Sequence, residues 1–136
     1  MEPQLDLLNS RLTKVSGERK PDFSGKLSMN QNIKIITMEK FKPTGAKIES
    51  IKINYSFQID YSELGSVEIE GVIYIGTDTK TMKKILDEYK DKKFDSPEQV
   101  TIMNIIIQKA SIRAFEIEEE LGLPIHIRLP QLSPKQ

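Results

Sequence analysis

The stretch SPEQVTIMNIIIQKASIRAFEIEEELGLPIHIRLP, residues 96–130, decides the fold. Its first four residues are a helix start with a mechanism. The Ser96 hydroxyl can accept from the Gln99 backbone N–H, and the Gln99 side chain can reach back to the Ser96 N–H. Pro97 stands at the first helical position, where its missing donor costs nothing. Glu98 lies in the first turn, where the helix dipole favours an acid. At the far end, Gly122 suits the left-handed residue just past a helix, and Pro124 bars resumption. The spacing therefore predicts one helix from Ser96 to about Leu121, then a proline-punctuated tail to Pro130.

Within that helix Met103, Ile107, Ala110, Ala114, Ile117 and Leu121 recur at alternating steps of four and three, the spacing of a packing seam. Ile102, Ile105, Ile106, Ile112 and Phe115 lie off the seam. A helix apolar nearly all round is buried on more than one side. A sheet covers one side. A second copy of the chain is the simplest cover for the other; the N-terminal segment or a shorter upstream helix is the alternative.

Outward from this helix, composition narrows the class. The chain has 136 residues, which makes one domain the expectation over 1–136, with 131–136 as a tail. Apolar residues make up 38% and charged residues 29%, the balance of a globular chain rather than a disordered one. Lys+Arg and Asp+Glu stand at 20 each, so no net charge argues for nucleic acid or an anionic membrane. The absence of cysteine removes disulfides, thiol nucleophiles and Cys-ligated zinc. No apolar run has the length of a membrane span, and Met1-Glu2-Pro3-Gln4 does not start a signal peptide, so a cytoplasmic home is the expectation.

Upstream, residues 1–10 are compatible with a helical turn, a first strand or a loose arm. Arg11–Ser16 fits a short strand, with a loop from Gly17 to Gly25. Leu27, Met29, Ile33 and Ile35 alternate, and then Ile36 and Met38 take the other parity, a phase slip that marks a β-bulge. Ile51, Ile53, Tyr55, Phe57, Ile59 and Tyr61 alternate without a break against polar residues, which makes this the clearest strand. Ser62-Glu63-Leu64-Gly65 reads as a hairpin turn. Val67, Ile69, Gly71, Ile73 and Ile75 resume the buried face. On the opposite face Glu68 and Glu70 give way to Val72 and Tyr74, an apolar patch that needs a partner, a client or the chain's own first ten residues against it. Asp78 or Thr79 caps a short helix to about Lys92, with Met82, Ile85, Leu86 and Tyr89 as its apolar stripe. The architecture expected is α+β: an antiparallel sheet of about four strands, with a short helix and one long C-terminal helix packed on one face.

Groups that do chemistry are sparse. His126 is the lone histidine, and one histidine supports neither a triad nor a metal site. Glu116, Glu118, Glu119 and Glu120 read as a solvated face near Arg113. The glycines at 65, 71 and 76 lack phosphate-cradle spacing. Lys80, Lys83 and Lys84 are followed by acids at 87, 88 and 91. No catalytic, cofactor or metal residue is expected.

A β-rich first half, a long apolar helix, then Leu121-Gly122-Leu123-Pro124 and Leu129-Pro130 with Leu132 beyond resemble the SecB-like chaperone family. The resemblance covers about residues 11–132. It implies an α+β fold that assembles into dimers and dimers of dimers, and a non-enzymatic holdase that binds unfolded or partly folded polypeptides in apolar grooves. Some members serve protein export and others partner toxin–antitoxin systems. By the same resemblance Ile102, Ile106, Lys109 and Arg113 become candidate helix–helix contacts between subunits. Met29, Met38, Phe41, Val72 and Tyr74 become the candidate client surface, since methionine and aromatics repack against varied partners. The alternative is a dedicated interaction subunit holding one folded partner. An acidic C-terminal extension and a second C-terminal helix, both family features, are not visible in this sequence.

Overall fold

The structure is a computed structural model that describes residues 5–22, 25, 27–42, 44–45 and 49–124. His126 and the rest of the proline-marked tail beyond Pro124 lie outside those residues, as do residues 1–4. Four strands come first: β1 (Asp6–Arg19), β2 (Asn30–Phe41), β3 (Ser50–Asp60) and β4 (Gly65–Gly76). Two helices follow, α1 (Thr79–Lys90) and α2 (Pro97–Leu121). The strands form one antiparallel sheet in the order β1-β4-β3-β2. The expected α+β architecture is the one observed.

The core lies between the sheet and the helices. Ile51, Ile53, Tyr55, Phe57 and Ile59 of β3 stand across from Ile75, Ile73, Gly71, Ile69 and Val67 of β4. Apart from Gly71, which has no side chain, each is fully buried. The unbroken alternation in the sequence is therefore the buried face. Helix α2 lies over β4 and β1, and α1 over the β2 side.

Gly71 makes this packing possible. It is flanked by Tyr55 on one side and Leu12 on the other. A Cβ there would stand 2.5 Å from the Tyr55 Oη and 2.7 Å from the Arg11 carbonyl oxygen. Tyr55 fills the space a side chain would take. Gly71→Ala is expected to cost about 1–3 kcal/mol through overpacking. A lower urea midpoint with an unchanged slope checks it.

Three local readings change. First, α2 does not bury the seam that runs through Met103 and Ile107. Its buried line is Gln99, Ile102, Ile106, Ala110, Ala114 and Ile117, with Ser111 and Glu118 beside it. The two lines share the C-terminal half of the helix, where small alanines allow close approach. They part in the isoleucine-rich half, where several apolar stripes compete.

Second, β1 is a strand of 14 residues rather than a short one at Arg11–Ser16, and the expected loop begins only after Arg19. Nearly all its side chains are exposed. Its pairing with β4 uses backbone groups, which leave no periodic trace in a strand at the sheet edge. Irregularities between Leu7 and Asn9 and between Leu12 and Lys14 also break its parity twice.

Third, the capping box is half formed. Ser96 Oγ accepts from the Gln99 N–H at 3.2 Å. The Gln99 side chain instead donates to the Ile85 carbonyl at 3.1 Å, tying the start of α2 to α1. Glu88 accepts from the Ser96 hydroxyl at 2.9 Å.

Other signals read as expected. The phase slip at Ile35–Ile36 is a bulge, with register shifting between Ile35 and Thr37. The carbonyl of Ile36 accepts from Tyr89 Oη of α1 at 3.1 Å, so a side chain supplies the bond that the ladder omits. Asp78 caps α1 by accepting from the Thr81 N–H at 2.7 Å. Gly122 takes a left-handed φ of 68°, and the Leu123 N–H donates to the Glu118 carbonyl at 2.8 Å. Leu123 thereby turns into the core.

Candidate functional site

The helices cover one face of the sheet and leave the other open. Most of that open face is polar. Lys14 and Glu68 form an ion pair at 2.6 Å, and Glu68 raises the Lys14 pKa above its ordinary value, first through the hydrogen bond and then through charge. Asn54 Nδ2 donates to Thr37 Oγ1 at 2.7 Å.

At one end the open face becomes apolar. Phe41 at the end of β2 and Tyr74 on β4 bring their rings to 5.1 Å between centroids, tilted by 49°. Ser50 and Lys52 of β3 lie between the two strands, as register partners of Phe41 and Tyr74. The Ser50 hydroxyl donates to the Phe41 carbonyl at 3.2 Å. The Lys52 ammonium stands 5.7 Å from the Phe41 ring centre, a cation–π contact. Leu8 completes the patch from β1. The register irregularity at Leu7–Asn9 places it over Gly76, where a Cβ would meet Leu8 Cδ1 at 3.1 Å. Leu8, Asn9, Arg11, Phe41, Ser50 and Tyr74 line an open hollow of about 370 Å³.

Phe41, Val72 and Tyr74 of the candidate client set therefore share one face. Val72 is almost wholly buried and stands between Arg11 and Asn54 in the register of the sheet. Met29 and Met38 do not join them. Met38 pairs with Ile53, so its parity places it on the helix side, where it is buried in the core. Met29 packs against the same core. The alternative cover, the first ten residues, is realised in part: residues 6–10 extend β1 along β4 and bring Leu8 to the patch without crossing over it. Leu8, Asn9 and Arg11 were missed by the sequence reading. The adjacent pair Leu7-Leu8 was the available signal, being the same apolar doublet that betrayed the bulge at Ile35-Ile36.

The candidate subunit contacts divide as well. Ile102 and Ile106 have no exposed surface in the single chain and belong to its core. Lys109 is exposed, and Arg113 pairs with Glu116 at 3.3 Å. The apolar side chains that α2 leaves in solvent are Val100, Ile107 and Ile112, the last 65% exposed.

Among the described residues no group of three His, Asp or Glu side chains could hold a metal ion, and no helix is long and apolar enough to cross a membrane. Tyr61 and Glu118 form the one buried acid–phenol pair described, with Tyr61 Oη donating to the Glu118 carboxylate. Both side chains are sealed from solvent, so the pair ties the β3–β4 turn to the end of α2 and offers nothing to a ligand.

No family model matches the chain, and no curated protein matches it either. The fold is similar to that of the Mycobacterium tuberculosis SecB-like chaperone Rv1957, solved in complex with a ChAD peptide from the Rv1956 HigA1 antitoxin. The TM-score is 0.58 and the identity 11%, over 95% of this chain and 88% of that one. The chain has a SecB-like fold.

Proposed function

We propose that this protein is a non-enzymatic, SecB-like holdase that binds non-native polypeptide segments on the open face of its sheet. The observation that carries this reading is the Phe41–Tyr74 pair with Leu8, an apolar hollow that no helix of the described chain covers. Natural monomers cover such patches or use them. Tilted aromatic rings suit the work: they offer large apolar area at little cost in side-chain freedom, and they accept varied partners. The similar chaperone, whose structure holds a peptide from another protein, supports polypeptide binding as the use of the fold. That peptide comes from one antitoxin, which equally supports the second reading, a subunit dedicated to one partner.

The setting we propose is the cytosol, with the chain assembled into a dimer or a dimer of dimers. Val100, Ile107 and Ile112 on the outer side of α2 are the contacts proposed in place of Ile102 and Ile106. The exposed Leu7, Leu12 and Val15 of edge strand β1 are a second apolar strip for the same purpose.

Aggregation of a chemically denatured test protein, followed by light scattering without ATP, tests the function. Stoichiometric chain is expected to slow it. Tyr74→Ala is expected to weaken client binding about tenfold, the loss of one aromatic contact worth roughly 1–1.5 kcal/mol. No suppression at several-fold excess would overturn the holdase. A single co-purifying protein with no general suppression would favour the dedicated subunit.

A further inference from the structure

We infer that the hollow selects segments in which an aromatic or aliphatic side chain is followed or preceded, two residues away, by Asp or Glu. This deepens the reading above and rests on it. The apolar part of the hollow is Leu8 with the rings of Phe41 and Tyr74. Its described polar part offers donors from Asn9 and Arg11. Arg11 is the one charged side chain, and there is no acid, among the described lining residues.

Arg11 makes no ion pair and no side-chain hydrogen bond within the described residues, so its guanidinium is free to take a carboxylate in two parallel bonds. Its neighbour on the strand differs: Lys14 is engaged by Glu68. Asn9 Oδ1 already accepts from the Ser10 N–H at 2.8 Å, which leaves the Asn9 amide hydrogens to donate. The Ser50 hydroxyl hydrogen is given to the Phe41 carbonyl. Lys52, held over the Phe41 ring, adds a second positive charge beside the hollow. Glu39, its register partner, stands on the same face but does not line the hollow.

The spacing follows from the register. Asn9 pairs with Tyr74 and Arg11 with Val72, so Arg11 lies one step along the strands from the aromatic pair. Side chains two residues apart in an extended segment share a face and stand about 7 Å apart. An apolar side chain seated against the two rings and Leu8 therefore presents its i+2 or i−2 neighbour to Arg11. A lysine or arginine there meets a cation. A polar neutral residue leaves the guanidinium hydrated and gains nothing. Single-stranded nucleic acid also offers rings and anions, but the chain has no net positive charge to draw it.

The test uses the full chain and three labelled peptides that differ only at one position, with cores Phe-Ser-Glu, Phe-Ser-Gln and Phe-Ser-Lys. Fluorescence anisotropy at low salt should show the Glu peptide binding about fivefold more tightly than the Gln peptide, and the Lys peptide most weakly. Arg11→Gln, an exposed change on an edge strand, should erase the preference by weakening the Glu peptide about fivefold, to the level of the Gln peptide. Equal binding of the three peptides, with loss of all three in Tyr74→Ala, would overturn the charge preference and keep the surface. Binding of none would overturn both readings. Displacement of the Glu peptide by an oligonucleotide, or a fall in particle mass in Arg11→Gln, would assign the hollow to nucleic acid or to a second copy, and would overturn the inference.

Discussion

Ile106→Asp is expected to destabilise the chain strongly rather than to split an assembly. Ile106 is 0% exposed and sits in one cluster with Ile53, Phe57, Ile69 and Ile73. The substitution removes an apolar side chain and places a carboxyl group with no partner under the centre of α2. The combined loss exceeds about 4 kcal/mol. Net stability for a chain of this size is of order 5–15 kcal/mol, so the change removes at least about a quarter of it, and nearly all of it at the low end of that range. Circular dichroism during a urea titration reads it directly. Ile112→Asp is the matched control. It changes the same residue type to the same acid on the same helix, but at a side chain open to solvent. Its effect on stability should fall within about 0.5 kcal/mol. Where a second copy covers the outer side of α2, that control also lowers the particle mass seen by light scattering, without loss of helix signal. A folded Ile106→Asp chain of reduced mass would place Ile106 at a subunit interface and overturn the assignment made from burial.

That contrast shows where the sequence was legible. The ends of α2 were, because capping chemistry is local: Ser96, Pro97, Gly122 and the halting Pro124 act on backbone groups within a few residues of themselves. The β3–β4 pair was legible because one face is buried and the other wet, so burial forces a period of two. The orientation of α2 was not. With isoleucine at 102, 105, 106, 107 and 112, the helix offers several apolar stripes of similar strength. Only the sheet beneath decides which is chosen. It chose the line on which Gln99 could also bond the Ile85 carbonyl, a tertiary contact with no local signature. Strand β1 was underread for the opposite reason. Its fold information is in pairing with β4, and its side chains, exposed nearly throughout, carry almost none.

The site was legible in the same proportion. Val72 and Tyr74 announced themselves as apolar residues on a wet parity, and Phe41 joined them by type. Met29 and Met38 fit a client surface by type alone, and for Met38 parity overrules type: it sits opposite Ile53 and faces the helices. The β1 contributors needed both the pairing partner of β1 and the irregularity that turns Leu8 outward, and each is long-range. The most specific element proposed for the hollow, Arg11, thus belonged to the strand that the sequence described least.

Above about pH 10 the chain is expected to lose stability steeply, and two tyrosines account for it. Tyr61 has its pKa raised, first by burial and then by its hydrogen bond to Glu118 and the charge of that carboxylate. Tyr55 is raised by burial. Both side chains are 0% exposed. An unfolded tyrosine titrates near 10. A phenol whose folded pKa lies above that value keeps its proton in the folded chain while the unfolded chain gives its proton up. Its contribution is complete below about pH 10 and is lost as pH climbs towards the folded value. Each such proton is worth about 1.4 kcal/mol per pH unit, so the pair approaches 3 kcal/mol per unit. Lys14 and Lys84 are raised by Glu68 and Glu98 and act in the same direction, but both are exposed and screened. Phenylalanine variants separate the two tyrosines. Tyr61→Phe removes the phenol's bond to Glu118, which should cost roughly 1.5–3 kcal/mol at neutral pH, and should halve the alkaline slope. Tyr55→Phe should also flatten the slope. At neutral pH it should leave stability unchanged or slightly raised, because Tyr55 Oη is buried without a hydrogen-bond partner among the described residues. Urea midpoints measured from pH 7 to 11 read all three curves. Curves that stay parallel above pH 10 would show that the alkaline loss arises elsewhere, and that neither phenol is held in its protonated form by the fold.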